Sequence, residues 1–290
     1  MLLDSIPRAR TGPPQSPDTP LQALAASITH PWRHRALIGI LTRREIAVRY
    51  RGSLLGSLWT LVTPLLTLAV FTLVFGVVLS AKWPGAAGQG GIGMFALALL
   101  AGLLMHTLFG EVLSGAPLLV VGQPNYATKM VFPLETLAWV SLLAALVHMM
   151  AGLILLVAFN GLWGTGFDVA ELALPLVLVP FAVMLLGLAW LLAALGVYIR
   201  DLTQLVGPLV MTVMFLGPVF VPRSAMPAGL QPFLVLNPIT VPIEQARRII
   251  FDGHWPDWSQ IGAYALCSVL VYALGLSVFN LLKKGFPDAL

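Results

Sequence analysis

SLWTLVTPLLTLAVFTLVFGVVL, residues 57–79, runs from end to end without a charged side chain. At about 1.5 Å of rise per residue, a helix of roughly 20 residues crosses the ~30 Å hydrocarbon layer of a membrane. Five further long apolar segments follow: Ile92–Leu113, Leu134–Phe159, Leu172–Ile199, Leu202–Val221 and Ile261–Leu282. These runs are continuous rather than alternating, so they read as helices and not as barrel strands. The expectation is an all-α integral membrane protein with six transmembrane helices.

Composition agrees. Mean hydropathy is +0.91, with 58% of residues hydrophobic and 10% charged. That excludes a disordered chain and an ordinary soluble domain. The single cysteine, Cys267, falls inside the last span and forms no intrachain disulfide. Residues 1–20 hold five prolines and no apolar core, so they read as a disordered cytoplasmic tail and not as a signal peptide. The expected division is this tail, an interfacial region over 21–56, a six-span domain over 57–282 and a short tail over 283–290.

Lys and Arg positions give the orientation. Before the first span stand eight: Arg8, Arg10, Arg33, Arg35, Arg43, Arg44, Arg49 and Arg51. A cytoplasmic N-terminus also places Lys129, Arg200, Lys283 and Lys284 inside, leaving Lys82, Arg223, Arg247 and Arg248 outside. Twelve against four satisfies the positive-inside rule, with both termini cytoplasmic. The pI near 9.5 then reports topology and anionic headgroups, not nucleic acid.

Between the spans, Leu21–Tyr50 reads as interfacial helix broken at Pro31, with Leu37, Ile40, Leu41 and Val48 on one face and Arg44 snorkelling from it. Gly52 and Gly56 form a GxxxG step, and Pro64 is expected to kink the first span. Ser80–Gly91 and Trp163–Glu171 read as short outside loops. The cytoplasmic loop Ser114–Pro133 reads as structured, and Arg200-Asp201 as a tight inside turn. Pro222–Gln260, with Ile239, Ile243, Ala246 and Ile250 at helical spacing and Glu244 and Arg248 as an i,i+4 pair, reads as re-entrant or interfacial helices outside, before the last span.

Sites for chemistry are few. The lysines follow Ala81, Thr128, Leu282 and Lys283, never glycine, so no Gly-Lys-Ser/Thr phosphate loop exists. If the chain belongs to a pump, ATP is split elsewhere. His106, His148, Glu111 and Glu135 are the ionisable groups in or near spans. His106 and Glu111 lie on different helix faces, and His148 has no acid within two turns along the chain. Packing or interfacial roles are expected for both histidines, and Glu111 and Glu135 are expected near water at the cytoplasmic ends.

REIAVRYRGSLLGSLWTLVTPLLTLAVFTLVFG, residues 44–76, resembles the first span and its approach in permeases of bacterial polysaccharide-exporting type-2 ABC transporters. The shared marks are Glu45, the Arg49-Tyr50-Arg51 triplet, Leu55-Gly56, Leu58-Trp59 and Pro64. NYATKMVFPLETLAW, residues 125–139, is similar to a second family stretch through Asn125, Lys129, Phe132 and Pro133, but has Met130 where a second basic residue is usual. VYIRDLTQLVGPLVMTVMFLGPVFVP, residues 197–222, is a third, and Asn237-Pro238 a fourth.

The resemblance implies a homodimeric permease in the bacterial inner membrane, paired with two copies of a separate ATPase that holds ATP and Mg. No cofactor is expected in this chain, which is no enzyme by itself. The implied cargo is an O-antigen-like polysaccharide on undecaprenyl diphosphate. Arg49, Tyr50, Arg51 and Arg200 are implied at the lipid headgroup. Asn125, Tyr126, Lys129, Met130, Phe132 and Pro133 are implied in ATPase coupling, with Tyr126 and Lys129 exposed. Trp59, Phe71, Phe75, Phe109 and Tyr198 are candidate channel aromatics. Two alternatives stay open: a type-2 exporter of a drug, haem or other small molecule, and a non-transporting scaffold for glycan assembly. A neighbouring gene for an ATPase with a carbohydrate-binding extension would favour polysaccharide and disfavour both.

Overall fold

The computed structural model describes residues 32–78, 91–128, 132–163, 166 and 168–290. The expectations for the N-terminal tail, Pro31, Lys82, most of the first outside loop, Lys129 and Met130 fall outside the described residues. Among those described, the chain is helical throughout and carries no strand, as continuous apolar runs require when no water is available to their backbone groups.

Helix α1 spans Arg35–Tyr50. The first span is composite: a 3₁₀ turn at Gly56–Leu58, α2 at Trp59–Phe71, and a wider π-helical stretch at Thr72–Val78. Pro64 lies inside continuous α2; the departure from α geometry comes a turn or more later. Helix α3 covers Gly91–Gly115, followed by the short α4 (Leu118–Val121) and α5 (Pro124–Thr128). Helix α6 is Thr136–Trp163, and α7 is Leu174–Tyr198 after a 3₁₀ turn at Val169–Ala173. Then come α8 (Leu202–Leu216), α9 (Thr240–Phe251), α10 (Trp258–Leu282) and a terminal turn, α11 (Phe286–Ala289).

Five of these segments are long and apolar enough to cross a membrane. Helix α8, read from the sequence as part of a sixth span over Leu202–Val221, has 15 residues, about 22 Å of rise at about 1.5 Å each. It stops at Leu216, and Gly217–Val221 continues as irregular chain.

The core runs through α3, α6, α7 and α10. The closest backbone approach is between α7 and α10. A Cβ on Gly187 would sit 2.5 Å from the carbonyl oxygen of Val271, and one on Gly275 would land on the carbonyl of Gly187. Small residues that admit such contact are the usual basis of helix association in lipid. The first span is the opposite case: only 6% of its central window is buried, against 67% for α3. Gly52 and Gly56 do not form a helical GxxxG face. Their φ values of 81° and 53° place them in left-handed turns between α1 and α2, with nothing within 4 Å of a Cβ.

Candidate functional site

Helix α1 delivers Arg49 from its last turn, α3 delivers Glu111 from near its end, and α6 delivers His148 from its interior. The guanidinium Nη1 lies 2.7 Å from Glu111 Oε1, and His148 Nδ1 lies 2.8 Å from the same oxygen. Arg49 Nη1 is also 2.8 Å from His148 Nδ1. Exposure falls from 42% at the Arg49 side chain to 17% at Glu111 and 10% at His148, so the node closes inward from water. Tyr50 meets the imidazole edge to face at 5.8 Å, and its hydroxyl accepts from Thr60 Oγ1 at 2.9 Å. The sequence reading, with no acid near His148 along the chain, missed this pairing. The acid comes from another helix, and apolar runs alone do not say which spans are neighbours.

The node stands between two cavities. One, of about 460 Å³, reaches along α2 and is lined by Tyr50, Trp59, Thr60, Thr63 and Thr67 with Leu100, Leu104 and Thr107 opposite. The other, of about 470 Å³, lies under α1 beside Leu118, Gln123 and Ser141. Arg49 and Glu111 line both. Arg51 and Arg200 are exposed, with no side-chain partner among the described residues.

At the same end, α4 and α5 form the structured loop expected over Ser114–Pro133. Asn125 is exposed, whereas Tyr126, expected exposed, is half-buried and stacks on Phe132 with ring centroids 4.3 Å apart. Pro133 accepts from the Thr136 backbone N–H at 2.9 Å and hydroxyl at 2.7 Å, which starts α6. Glu135, like Glu111, is paired: its Oε1 lies 2.5 Å from Lys283 Nζ.

At the opposite end, Arg247 of α9 is 7% exposed. Its Nε and Nη2 donate to the Ala98 carbonyl at 2.9 and 2.7 Å, Nη2 donates to Val219 at 2.8 Å, and Nη1 donates to Pro218. The expected Glu244–Arg248 pair does not form: Arg248 Nε donates to the Trp255 carbonyl, and the cations acting on Glu244 are Arg223 and Arg247. Burial pushes the Glu244 carboxyl above its ordinary range, and those two cations only partly offset it.

The five candidate aromatics do not converge. Phe71 and Phe75 join Phe220, with centroid distances of 5.2 and 4.7 Å, and Phe215 joins the same group. Trp59 lines the cavity at the other end of the first span. Phe109 is buried in the core, and Tyr198 donates to the Leu282 carbonyl at 3.0 Å. His106 contacts the Val210 carbonyl at 3.2 Å, the packing role expected for it.

A family model described as ABC-2 type transporter matches residues 36–251. The chain is 27% identical over 261 residues to the O-antigen export system permease protein RfbA of Myxococcus xanthus, covering 89% of this chain and 97% of that one. It is 21% identical over 255 residues to the RfbA protein of the same description in Klebsiella pneumoniae, covering 88% and 95%.

Proposed function

The chain belongs to the ABC-2 type transporter family and is a membrane-spanning permease subunit, and we propose that it exports an O-antigen-like, lipid-linked polysaccharide across the bacterial inner membrane. The observation that carries this reading is the near-complete alignment with relatives described as O-antigen export permeases. The rival cargoes, drug or haem, have no comparable support.

Energy comes from a separate ATPase, two copies to two copies of this chain, since no phosphate loop is present here. The termini and the α4–α5 loop face the cytoplasm, and the ATPase docks on that loop around Asn125. Both the excess of Lys and Arg on that side and the exposure of Asn125 support this arrangement. The headgroup diphosphate meets Arg51 and Arg200. Arg49, bracketed with them on sequence grounds, is engaged by Glu111 and serves to anchor α1. Support for a second copy is the sparse burial of the first span.

Reconstitution tests the reading. Vesicles holding this chain and its ATPase should move lipid-linked glycan to the lumen when ATP is supplied. Vesicles with either protein alone should not. Surface polysaccharide that persists in cells lacking this chain would refute the proposal.

A further inference from the structure

The cavity beside the Arg49–Glu111–His148 node sets a row of hydroxyls beside an apolar wall of Leu100, Leu103, Leu104, Leu108 and Met149. Its volume of about 460 Å³ falls within the usual range for small-molecule sites, about 300–1,000 Å³. Six hydroxyl-bearing side chains line it: Tyr50, Ser53, Thr60, Thr63, Thr67 and Thr107. Thr60, Thr63 and Thr67 recur at helical spacing, so α2 presents them as one stripe. Pro64 interrupts that stripe and has no N–H, which deprives the Thr60 carbonyl of its ordinary helical donor. Trp59 adds an aromatic face at the mouth.

The charges narrow the ligand class. Arg49 and Glu111 neutralise one another at 2.7 Å, so the cavity offers no free cation to an anion. A carboxylate that accepts and a guanidinium that donates, set beside hydroxyls and an indole, form the complement of a neutral polyol. His148 also borders the cavity, but its Nε2 is buried without a partner among the described residues and is not open to that space, so the ring's part is to hold Glu111 in position through Nδ1.

We infer that this cavity, open on one side and lined by α2, α3 and α6 of one protomer, binds sugar rings of the transported lipid-linked glycan. The inference rests on the export reading above and makes Thr63, Thr67 and Glu111 the residues that read the sugar. Arg51 and Arg200 are left for the diphosphate.

Photocrosslinking in the complete complex tests it. Cys267→Ala supplies the background, Thr67→Cys carries a photoreactive maleimide, and Leu73→Cys on the same span is the comparison site. Glycan is radiolabelled metabolically and the complex is held without ATP. The expected result is label on the Thr67→Cys protein at several times the Leu73→Cys yield. In a second arm, Thr63→Val with Thr67→Val should raise the concentration of native lipid-linked glycan needed for half-maximal ATPase stimulation several-fold. The shift for undecaprenyl diphosphate without sugar should be distinctly smaller. Equal labelling at the two sites, absence of label in a complex that exports, or equal shifts for both lipids would overturn the inference. A wild-type complex that exports no labelled glycan and responds to neither lipid would refute the export reading itself, and the sugar site with it.

Discussion

Arg247 holds together parts of the chain that no helix does. Once α8 has ended at Leu216, the carbonyls of Pro218 and Val219 have no helical donors, and the Arg247 guanidinium supplies them while also reaching Ala98 on α3. A buried carbonyl left bare costs about 1–3 kcal/mol. Arg247→Leu strands the carbonyls of Pro218 and Val219, whereas that of Ala98 keeps its helical donor within α3, so a loss of a few kcal/mol is expected, seen as a lowered unfolding midpoint in detergent. Arg247→Lys should recover only part of it, because an ammonium lacks the planar fork that reaches three acceptors. A Leu variant as stable as wild type would show that the contact is incidental. The signal for this residue was present in the sequence. Arg247 stands four after Ile243 and three before Ile250, on the apolar face of its helix, where an unpaired cation is out of place. Counting it only as an outside charge hid that. Glu111 and His148 left no such trace: their contact depends on which spans adjoin, and neither lies near the other along the chain.

At the scale of elements, the long spans were legible because runs of apolar residues past the membrane thickness have few other uses. Their ends were less so. Hydropathy continues through Phe220 and Val221, but Gly217 and Pro218 end the helix first. The Gly52–Gly56 spacing looked helical only on the assumption that the helix continued there. The terminal turn α11 lies in residues 283–290, read from the sequence only as a short tail because four residues are too few for any periodicity. It nonetheless packs on α5 and α7, with Phe286 fully buried against Phe279 and Tyr198, at ring centroids of 5.5 and 6.2 Å. Helix α5 has no fully buried residue; Tyr126 and Ala127 only partly pack on the core, and α11 adds to that backing. Ending the chain after Gly285 should therefore leave the spans inserted but loosen α5. Removing a buried Phe from a core typically costs about 3–5 kcal/mol, and α11 lies at the edge, so the lower figure applies. The expected outcome is a permease present in the membrane at normal level with export reduced several-fold. Normal export by the truncated chain would show that α5 stands unaided.

The molecule as a whole is unevenly packed. Helices α7 and α10 close backbone to backbone, while the first span and α8 lean on the rest by one side only. Exposed leucine and valine alone would suit lipid. The first span, however, also exposes Thr63, and α8 exposes Gln204 and Thr212 next to Leu205, Leu209 and Phe215. The irregular chain beyond α8 is already buried within the protomer, with the Pro218 and Val219 carbonyls held by Arg247, so it asks for no partner. The exposed polar groups are ill suited to lipid, and on the proposed dimeric reading a second copy of this chain meets its partner through these two elements. Single cysteines at Leu66, Val70 and Leu209, in the Cys267→Ala background, should then yield disulfide-linked dimers under mild oxidant in native membranes. A cysteine at Ile154, 65% exposed on α6, should remain monomeric under the same conditions. Crosslinking at Ile154 with none at the other three would move the interface to α6 and leave the first span facing lipid. The polar groups of the first span would then serve only the cavity they share with α3 and α6.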